Sequence, residues 1–496
     1  MDKIVTKEPI AGSASAIGKP SSSGGDSAPS IGKKEFIALA AAIMSVNALG
    51  IDVVLPALQQ MGAALAVDDE NSRQLIITAY VMGLGIGQLF YGPFADRFGR
   101  RAPLFFGFGI FVLGSIAAAF VPSFTLMLVL RALQGLGAAA TRVIAVSAVR
   151  DMYGGRRMAE AMSIIMMIFM VVPIFAPSLG QFFMLLGGWP MIYLLTAALT
   201  VAIATWAWIR LPETLAPENR RSLAIGSILN GFRMVVVNRI ALCYIMASTA
   251  VMGALFGFIN SAQQIYLDIY DMGDLFPIMF ALGGMLMAVS SFSNSRLVGR
   301  IGMRRLSHGA LLGFIVVTGI WLITTLIGPL PFWLFFVLFS AAMFQFGWVG
   351  ANFNAIAMEP LGHVAGTAAS VQGFVSTIGS GLLGATIGLS FDGTLTPLAA
   401  GYFILGLIAL VLVLIAERGR LFQQVRTRSC EALIIKRLSG SNRTAQPISG
   451  SIPAKSNSFR SSRCDGRTFP MARIIVSFRP GMRFSMSESI AFMALR

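Results

Sequence analysis

The sequence of 496 residues has few cysteines, few histidines and few charges. Its three cysteines, Cys243, Cys430 and Cys464, are scattered, and its two histidines, His308 and His363, stand alone. Neither a disulfide framework nor a metal site is therefore predicted. The phosphate-binding pattern G-x-x-x-x-G-K-[ST] is absent, which argues against ATP-driven work by this chain alone. Only 12% of the residues are charged, too few for a soluble multidomain enzyme, and we predict no enzyme and no cofactor.

Apolar residues are abundant instead, at 56% of the chain, and the mean hydropathy is +0.75. A helix that crosses a bilayer needs about 20 apolar residues and satisfies its backbone internally. Hydropathy predicts an all-α membrane protein with twelve transmembrane helices, near residues 36–58, 73–94, 103–121, 125–149, 160–183, 189–209, 240–262, 275–295, 307–327, 332–357, 366–388 and 398–416.

The longest interruption, 210–239, separates a bundle at 36–209 from a bundle at 240–416. The segment 297–304 also repeats the segment 94–101 at an offset of 203 residues, with Gly299 in the place of Asp96. The sequence therefore predicts two pseudo-symmetric six-helix bundles.

Arginines are distributed unevenly over the predicted loops. The loops after the second, fourth, sixth and eighth spans contain fifteen arginines, whereas the opposite loops contain only Arg73. By the positive-inside rule, both termini are predicted to be cytoplasmic. The loop after the tenth span does not fit this pattern, because it contains Glu359 and His363 but no Lys or Arg.

The two ends of the chain are polar. Residues 1–35 are predicted to form a disordered cytoplasmic leader, since they lack the apolar core of a signal peptide. Residues 417–496 carry fifteen Lys and Arg against four Asp and Glu, hence eleven of the sixteen net positive charges. This tail either binds anionic lipid or is a disordered extension. It lacks interleaved basic and aromatic residues, so no nucleic acid is predicted as a partner.

Three ionisable residues lie well inside the predicted spans: Asp52, Arg131 and Arg142. Each costs roughly 2.5–3.5 kcal/mol to insert, so each needs an internal partner or a water-filled cavity. Asp52 precedes Pro56, which loosens the helix; it either exchanges a proton or caps that turn. Helical spacing places Arg131, Gln134 and Arg142 on one stripe.

Other candidates are a kink in the fifth span and a set of amides. Pro173 and Pro177 delete backbone hydrogen bonds and, with Gly180, predict a bent helix. Amides in the second bundle lie among aromatic residues and either line a site for a large amphipathic ligand or bond neighbouring helices. These amides are Asn260, Gln263, Gln345 and Asn352.

A further segment joins the second and third spans, where the run GQLFYGPFADRFGRR places small residues and then charges at a turn. It resembles the signature loop of the major facilitator superfamily, in which the matching residues are Gly92, Asp96, Arg97, Gly99, Arg100 and Arg101. Within that superfamily the chain resembles the bicyclomycin-resistance (Bcr/CflA-type) drug:proton antiporters. The segments that carry this resemblance are Asp52-x-x-Leu55-Pro56-Ala57-Leu58, Arg131-Ala132-Leu133-Gln134-Gly135, Val149-Arg150-Asp151 and Gly362-His363-x-Ala365-Gly366-Thr367-Ala368.

The resemblance implies a monomeric transporter of the bacterial inner membrane that expels drugs or hydrophobic metabolites by alternating access, driven by protons. Asp52 and Arg131 would then handle proton and substrate, and the loop between the second and third spans would latch the state that is closed to the cytoplasm. The alternatives are a proton symporter or uniporter that imports a small metabolite, and a membrane sensor or scaffold that transports nothing.

Overall fold

The computed structural model describes residues 31–153, 155–220, 225–272 and 275–422. Within these ranges the chain forms helices and turns and no strand. Twelve long helices account for most of it. We label them α1 Lys33–Asp52, α2 Leu75–Phe98, α3 Arg101–Ala119, α4 Phe124–Met152, α5 Gly155–Gly187, α6 Trp189–Arg210, α7 Arg239–Gln264, α8 Phe276–Ile301, α9 Met303–Ile327, α10 Phe332–Met358, α11 Ala365–Leu389 and α12 Thr396–Ala416.

The helices match the predicted spans. All of them except α11 belong to segments that are long and apolar enough to cross a membrane. Helix α11 is rich in glycine and serine, but its 25 residues extend over about 37 Å, enough to span the hydrocarbon. The prediction of an all-α protein with twelve membrane helices is confirmed.

Helix packing repeats between the two halves. In the first half α2 packs on α4, α3 on α4 and α6, and α1 on α4 and α5. The second half has the same pairs six helices later: α8 on α10, α9 on α10 and α12, and α7 on α10 and α11. The halves meet through α2 with α11 and through α5 with α8, two contacts that the same pseudo-symmetry exchanges. The predicted pair of pseudo-symmetric bundles is confirmed.

The first span is broken after Asp52. Helix α1 ends there, a 3-10 turn follows at Leu55–Ala57, and a short helix, Leu58–Ala64, completes the segment. Pro56 is the second residue of the turn, where its missing N–H and fixed φ angle are tolerated. The loosening predicted at Pro56 is therefore a local interruption of the α-helical pattern, and Asp52 is the last residue before it.

Two connecting regions contain more structure than the sequence predicts. The central segment includes a helix, Ile225–Val237, which packs on α7 and α11, with the Phe232 ring 5.8 Å from that of Phe374. In the predicted tail, Glu417 and Phe422 bond to side chains of the second half. The remainder of the tail, 423–496, and residues 1–30 of the leader lie outside the described residues.

Because successive helices run in opposite directions, the turns after even-numbered helices share one end of the molecule. We call it the arginine-rich end, after Arg100 and Arg304, which lie at the α2–α3 and α8–α9 turns. It is the end predicted to face the cytoplasm.

Candidate functional site

Asp52 is a buried carboxylate at the end of α1, 5% exposed. Among the described residues no hydrogen bond or ion pair to it is found, and Arg131 makes no ion pair with it within 4.0 Å. Helix α5 packs directly on the turn that follows Asp52, since a Cβ atom at Gly180 would lie 2.0 Å from the carbonyl oxygen of Val53. Gly180 is thus the residue that lets α5 approach the break.

One face of α1 becomes more accessible from Asp52 towards the arginine-rich end. Positions 38, 42, 45, 49 and 52 share this face by helical spacing. Ser45, Leu49 and Asp52 are buried, Ala42 is half-buried and Ala38 is exposed. Asp52 therefore lies at the buried end of a face whose exposure increases towards the arginine-rich end.

Arg131 is fully buried and surrounded by neutral groups. Its Nε donates to the Ile76 carbonyl at 3.1 Å, Nη1 to Gln134 Oε1 at 2.9 Å and Nη2 to the Gly50 carbonyl at 2.8 Å. The guanidinium also lies 4.5 Å from the ring centroid of Tyr80. These contacts hold Arg131 against α1, two residues along the chain from Asp52, with its donors satisfied.

Gln134 extends the same network, because its Nε2 donates to Ser115 Oγ at 2.6 Å. Arg142, the third residue of the predicted stripe, does not join it. Its side chain is exposed, and no partner for it is found in the described part of the chain. The stripe thus contains Arg131, whose three nitrogen atoms are all hydrogen-bonded, and Arg142, whose side chain is exposed.

The predicted latch loop is organised around Arg100. Its Nη1 donates to Asp96 Oδ1 at 2.8 Å, and its Nε and Nη2 donate to Asp151 at 2.7 and 3.3 Å. Glu213 accepts from the backbone N–H groups of Arg100 and Arg101 at 2.8 and 3.2 Å, which caps the start of α3. No sequence pattern predicts a role for Glu213, since nothing in its surroundings marks it.

Glycines and the remaining arginines complete this loop. Gly99 has φ +87° and no room for a side chain, because a Cβ atom there would lie 2.5 Å from Glu213 Oε2. Arg101 donates to the Trp208 carbonyl at 2.8 Å, and Arg97 lies over the Phe98 ring. Across the halves, a Cβ atom at Gly92 would lie 2.9 Å from Ser370 Oγ. The charged contacts described here stay within the first half, so the latch remains a prediction.

The second half contains a counterpart that the sequence analysis missed. Arg304 Nε donates to Glu417 Oε1 at 2.8 Å, and Nη2 donates to Glu359 Oε2 at 3.1 Å. Glu359 ends α10 as Asp151 ends α4, and Glu417 follows α12 as Glu213 follows α6. This pairing explains why the loop after α10 carries an acid at the arginine-rich end.

The predicted kink residues Pro173 and Pro177 lie within α5, which is assigned as one helix from Gly155 to Gly187. Two of the predicted ligand-lining amides lie in helix contacts of the second half. Asn352 Nδ2 donates to Asn294 Oδ1 at 2.7 Å, and Gln345 packs beside Gly313 of α9. Asn352 thus bonds a neighbouring helix, as one of the two predicted alternatives has it. The ligand-lining role of these amides stays a prediction.

Polar residues join the two halves at the end opposite the arginine-rich end. Gln74 Nε2 donates to Gln264 Oε1. Gln264 Nε2 donates to Asn71 Oδ1 at 2.7 Å, and Asn71 Nδ2 donates to the Phe391 carbonyl at 2.8 Å. Asn260 belongs to the same region, because Gly388 lies close to both Asn260 and Gln74.

Two further contacts reinforce this junction. Gln263 Nε2 donates to the Pro56 carbonyl at 3.2 Å, which ties α7 to the break after α1. Arg73 lies 3.9 Å from Asp268 and 3.0 Å from Glu70. At the arginine-rich end, by contrast, no ion pair among the described side chains joins the two halves. The polar contacts described in this region therefore tie the halves together at the end opposite the arginine-rich end.

Comparisons with known proteins agree with this architecture. Residues 40–385 match the family model of the Major Facilitator Superfamily. A bicyclomycin resistance protein homolog from Haemophilus influenzae is 28% identical over 364 residues, which cover 73% of this chain and 91% of that protein. The multidrug resistance protein D of Escherichia coli is 30% identical over 357 residues, covering 69% and 85%.

Among solved structures, the xylose transporter XylE from Escherichia coli, in a partially occluded inward open conformation, has the same fold. The TM-score is 0.58 at 12% sequence identity, and the match covers 77% of this chain and 98% of XylE.

Proposed function

The chain belongs to the major facilitator superfamily, and we propose that it is a proton-coupled antiporter that exports drugs or amphipathic metabolites across the bacterial inner membrane. The names of two relatives, a bicyclomycin resistance protein homolog and a multidrug resistance protein, support drug export. The observation that carries the proton coupling is Asp52, a buried carboxylate to which no cation is paired among the described residues, on a face of α1 whose exposure increases towards the arginine-rich end.

In this proposal the two halves rock about the α2–α11 and α5–α8 contacts. When the predicted outer end opens, a proton neutralises Asp52, which otherwise costs roughly 2.5–3.5 kcal/mol to keep charged within the membrane. When the arginine-rich end opens, the proton leaves and a substrate enters from the cytoplasm. The hydrogen bonds of Asn71, Gln74 and Gln264 between the two halves support an arrangement in which the site is accessible from the arginine-rich end.

The experiment is proton release from everted membrane vesicles that have been energised by respiration. Addition of bicyclomycin, or of other antibiotics that differ in charge, should dissipate the proton gradient in vesicles that contain the wild-type protein. We expect Asp52→Asn and Arg131→Ala to abolish this release, because each removes one of the two groups that couple proton and substrate. Membrane content of each variant is measured on the same vesicles.

The matched controls are Asp68→Asn and Arg150→Ala. Both side chains are exposed near helix ends, and both variants should release protons at the wild-type rate. Release at that rate in Asp52→Asn or Arg131→Ala would remove the role assigned to that residue. No release with any compound in wild-type vesicles would refute proton antiport for the whole protein.

A further inference from the structure

Arg142 is an exposed side chain on a face of α4 whose other side chains are buried or half-buried. At 3.6 residues per turn, Met127, Arg131, Ala138 and Ala145 lie within about 60° of Arg142 around the helix axis. All four are buried, whereas Arg142 is exposed. Phe124, Leu128 and Val146 on the same face are half-buried, so Arg142 is more exposed than its neighbours on this face.

The side chains that α4 presents to lipid point the other way. Leu126, Val129 and Leu133 are exposed, and they lie about 140–200° from Arg142 around the axis. Arg131, about 20° from Arg142 around the axis, donates to the Gly50 carbonyl of α1. Arg142 therefore lies on the face of α4 that is directed at α1, and its exposure requires accessible space between these helices. Ala138 is the middle residue of α4, so Arg142 lies about 6 Å from the middle of the helix, on the side of the arginine-rich end.

The donors of Arg142 are free, unlike those of Arg131. Arg131 is bonded through all three of its nitrogens to neutral acceptors. For Arg142 no hydrogen bond or ion pair is found in the described ranges, and the carboxylates that pair with arginines in the first half lie at helix ends. A cation within the membrane that has no protein partner needs a water-filled cavity or a mobile anion.

We propose that Arg142 binds the anionic group of the transported compound, and that the substrates of this protein include amphipathic organic carboxylates. The planar guanidinium presents paired N–H donors that match a carboxylate. Aromatic and aliphatic parts of such a molecule fit apolar surroundings, and α1 supplies them with Ala38, which is exposed, and Ala42, which is half-buried. This inference rests on the proposed function and extends it to the class of substrate.

The test compares two fluorescent probes that differ only in charge, dansylglycine and its neutral amide, dansylglycinamide. Binding is measured by fluorescence on the full chain in phosphatidylcholine liposomes, without a proton gradient and without anionic lipid. The wild-type protein should bind dansylglycine about tenfold more tightly than the amide, because hydrogen bonds to a charged group are the stronger ones. Arg142→Gln should remove this preference and leave amide binding unchanged, and Arg142→Lys should retain part of it.

Arg150→Gln is the matched control, since Arg150 is an exposed arginine of the same helix; it should bind both probes as the wild type does. Equal binding of the two probes by the wild type, binding of neither, or equal loss of both in Arg142→Gln would each overturn the proposal. Amide binding reports whether each variant is folded. Because no proton movement is measured, failure of proton antiport in vesicles would leave this result interpretable.

Addition of phosphatidylglycerol to the liposomes shows whether a lipid headgroup competes for Arg142. If this lipid makes the wild-type protein bind dansylglycine no more tightly than the amide, the site belongs to lipid and the substrate role is overturned.

Discussion

The two halves build equivalent charged clusters at the arginine-rich end, but they use their carboxylates differently. Each cluster surrounds an arginine at the turn between the second and third helices of its half, Arg100 or Arg304. The carboxylates are Asp96, Asp151 and Glu213 in the first half and Glu359 and Glu417 in the second half. Glu213 bonds two backbone N–H groups at the start of α3, whereas Glu417, its counterpart, bonds side chains. The two clusters therefore have similar charges at similar helix ends, with different partners and from positions that do not coincide in the repeat.

Neutral groups supplement the carboxylates in the second half. Tyr244 Oη donates to Glu417 at 2.8 Å and lies 2.8 Å from His308 Nε2, while the backbone N–H of Phe422 donates to His308 Nδ1 at 3.1 Å. A neutral imidazole with its proton on Nε2 satisfies all three bonds. The second cluster thus fixes the chain after α12, as Glu213 and Thr214 fix the chain after α6 to the first cluster.

Removal of the central arginine should be the most damaging change, and more so in the first half. Arg100→Ala leaves Asp151, which is 15% exposed, with only Thr214 as a partner among the bonds described here. Arg304→Ala leaves Glu417 with Tyr244 and leaves Glu359 45% exposed to water. Breaking a fully buried pair costs about 3–5 kcal/mol. Because both clusters are partly exposed to water, we expect losses at or below the lower end of this range, with the larger loss for Arg100→Ala.

Thermal unfolding of the detergent-solubilised variants measures this order. Arg305→Ala is the control, because Arg305 is exposed on α9 and a surface substitution of this kind stays within about 0.5 kcal/mol. A lower unfolding temperature for Arg304→Ala than for Arg100→Ala would show that the loss of stability does not depend on the partners that remain to the carboxylates.

Sequence patterns predicted the helices of both halves, because the bilayer imposes a strong and simple rule on hydropathy. Helix α12 ends at Ala416 as predicted, and α6 begins at Trp189 as predicted. The helix at 225–237 was missed because arginines flank it, although Ile228, Phe232 and Val235 have helical spacing. The rule for charge in a membrane also selected Asp52, Arg131 and Arg142, since so few ionisable residues lie inside the spans.

The partners of these charges could not be predicted in the same way. Glu213 is 113 residues from Arg100, and Glu359 is 55 residues from Arg304; only the folded packing of helix ends brings them together. The sequence also places Arg131 and Arg142 on one stripe, yet it cannot show that one is saturated by carbonyl groups and the other is accessible. Local sequence patterns show which charged residues are costly to bury, and tertiary contacts decide which hydrogen-bond or ion-pair partners each of them has.

An intermediate effect is expected from the neutral part of the second cluster. Tyr244→Phe removes the acceptor of His308 Nε2–H and one donor to Glu417, and a buried group left unsatisfied costs about 1–3 kcal/mol. The loss should appear locally, as faster hydrogen exchange in residues 417–422. Tyr402→Phe is the matched control: the hydroxyl of Tyr402 is buried without a partner in the described structure, so its removal should be neutral or stabilising. Equal destabilisation by both variants would mean that the Tyr244 hydroxyl contributes only its volume.

The smallest effect is expected where the second half lacks the signature acid. Gly299 stands in the place of Asp96, but the residue four positions on is Met303 rather than an arginine. Gly299→Asp alone gains a few tenths of a kcal/mol of helix propensity and loses a similar amount against the helix C-terminus, so the unfolding temperature should not change measurably. Gly299→Asp with Met303→Arg rebuilds the pair of Asp96 and Arg100 and should gain about 0.2–0.5 kcal/mol over the sum of the single variants, measured as a double-mutant cycle. A large gain from Gly299→Asp alone would mean that an existing arginine, such as Arg304, can reach the new acid, and that the two clusters differ by one residue rather than by their whole arrangement.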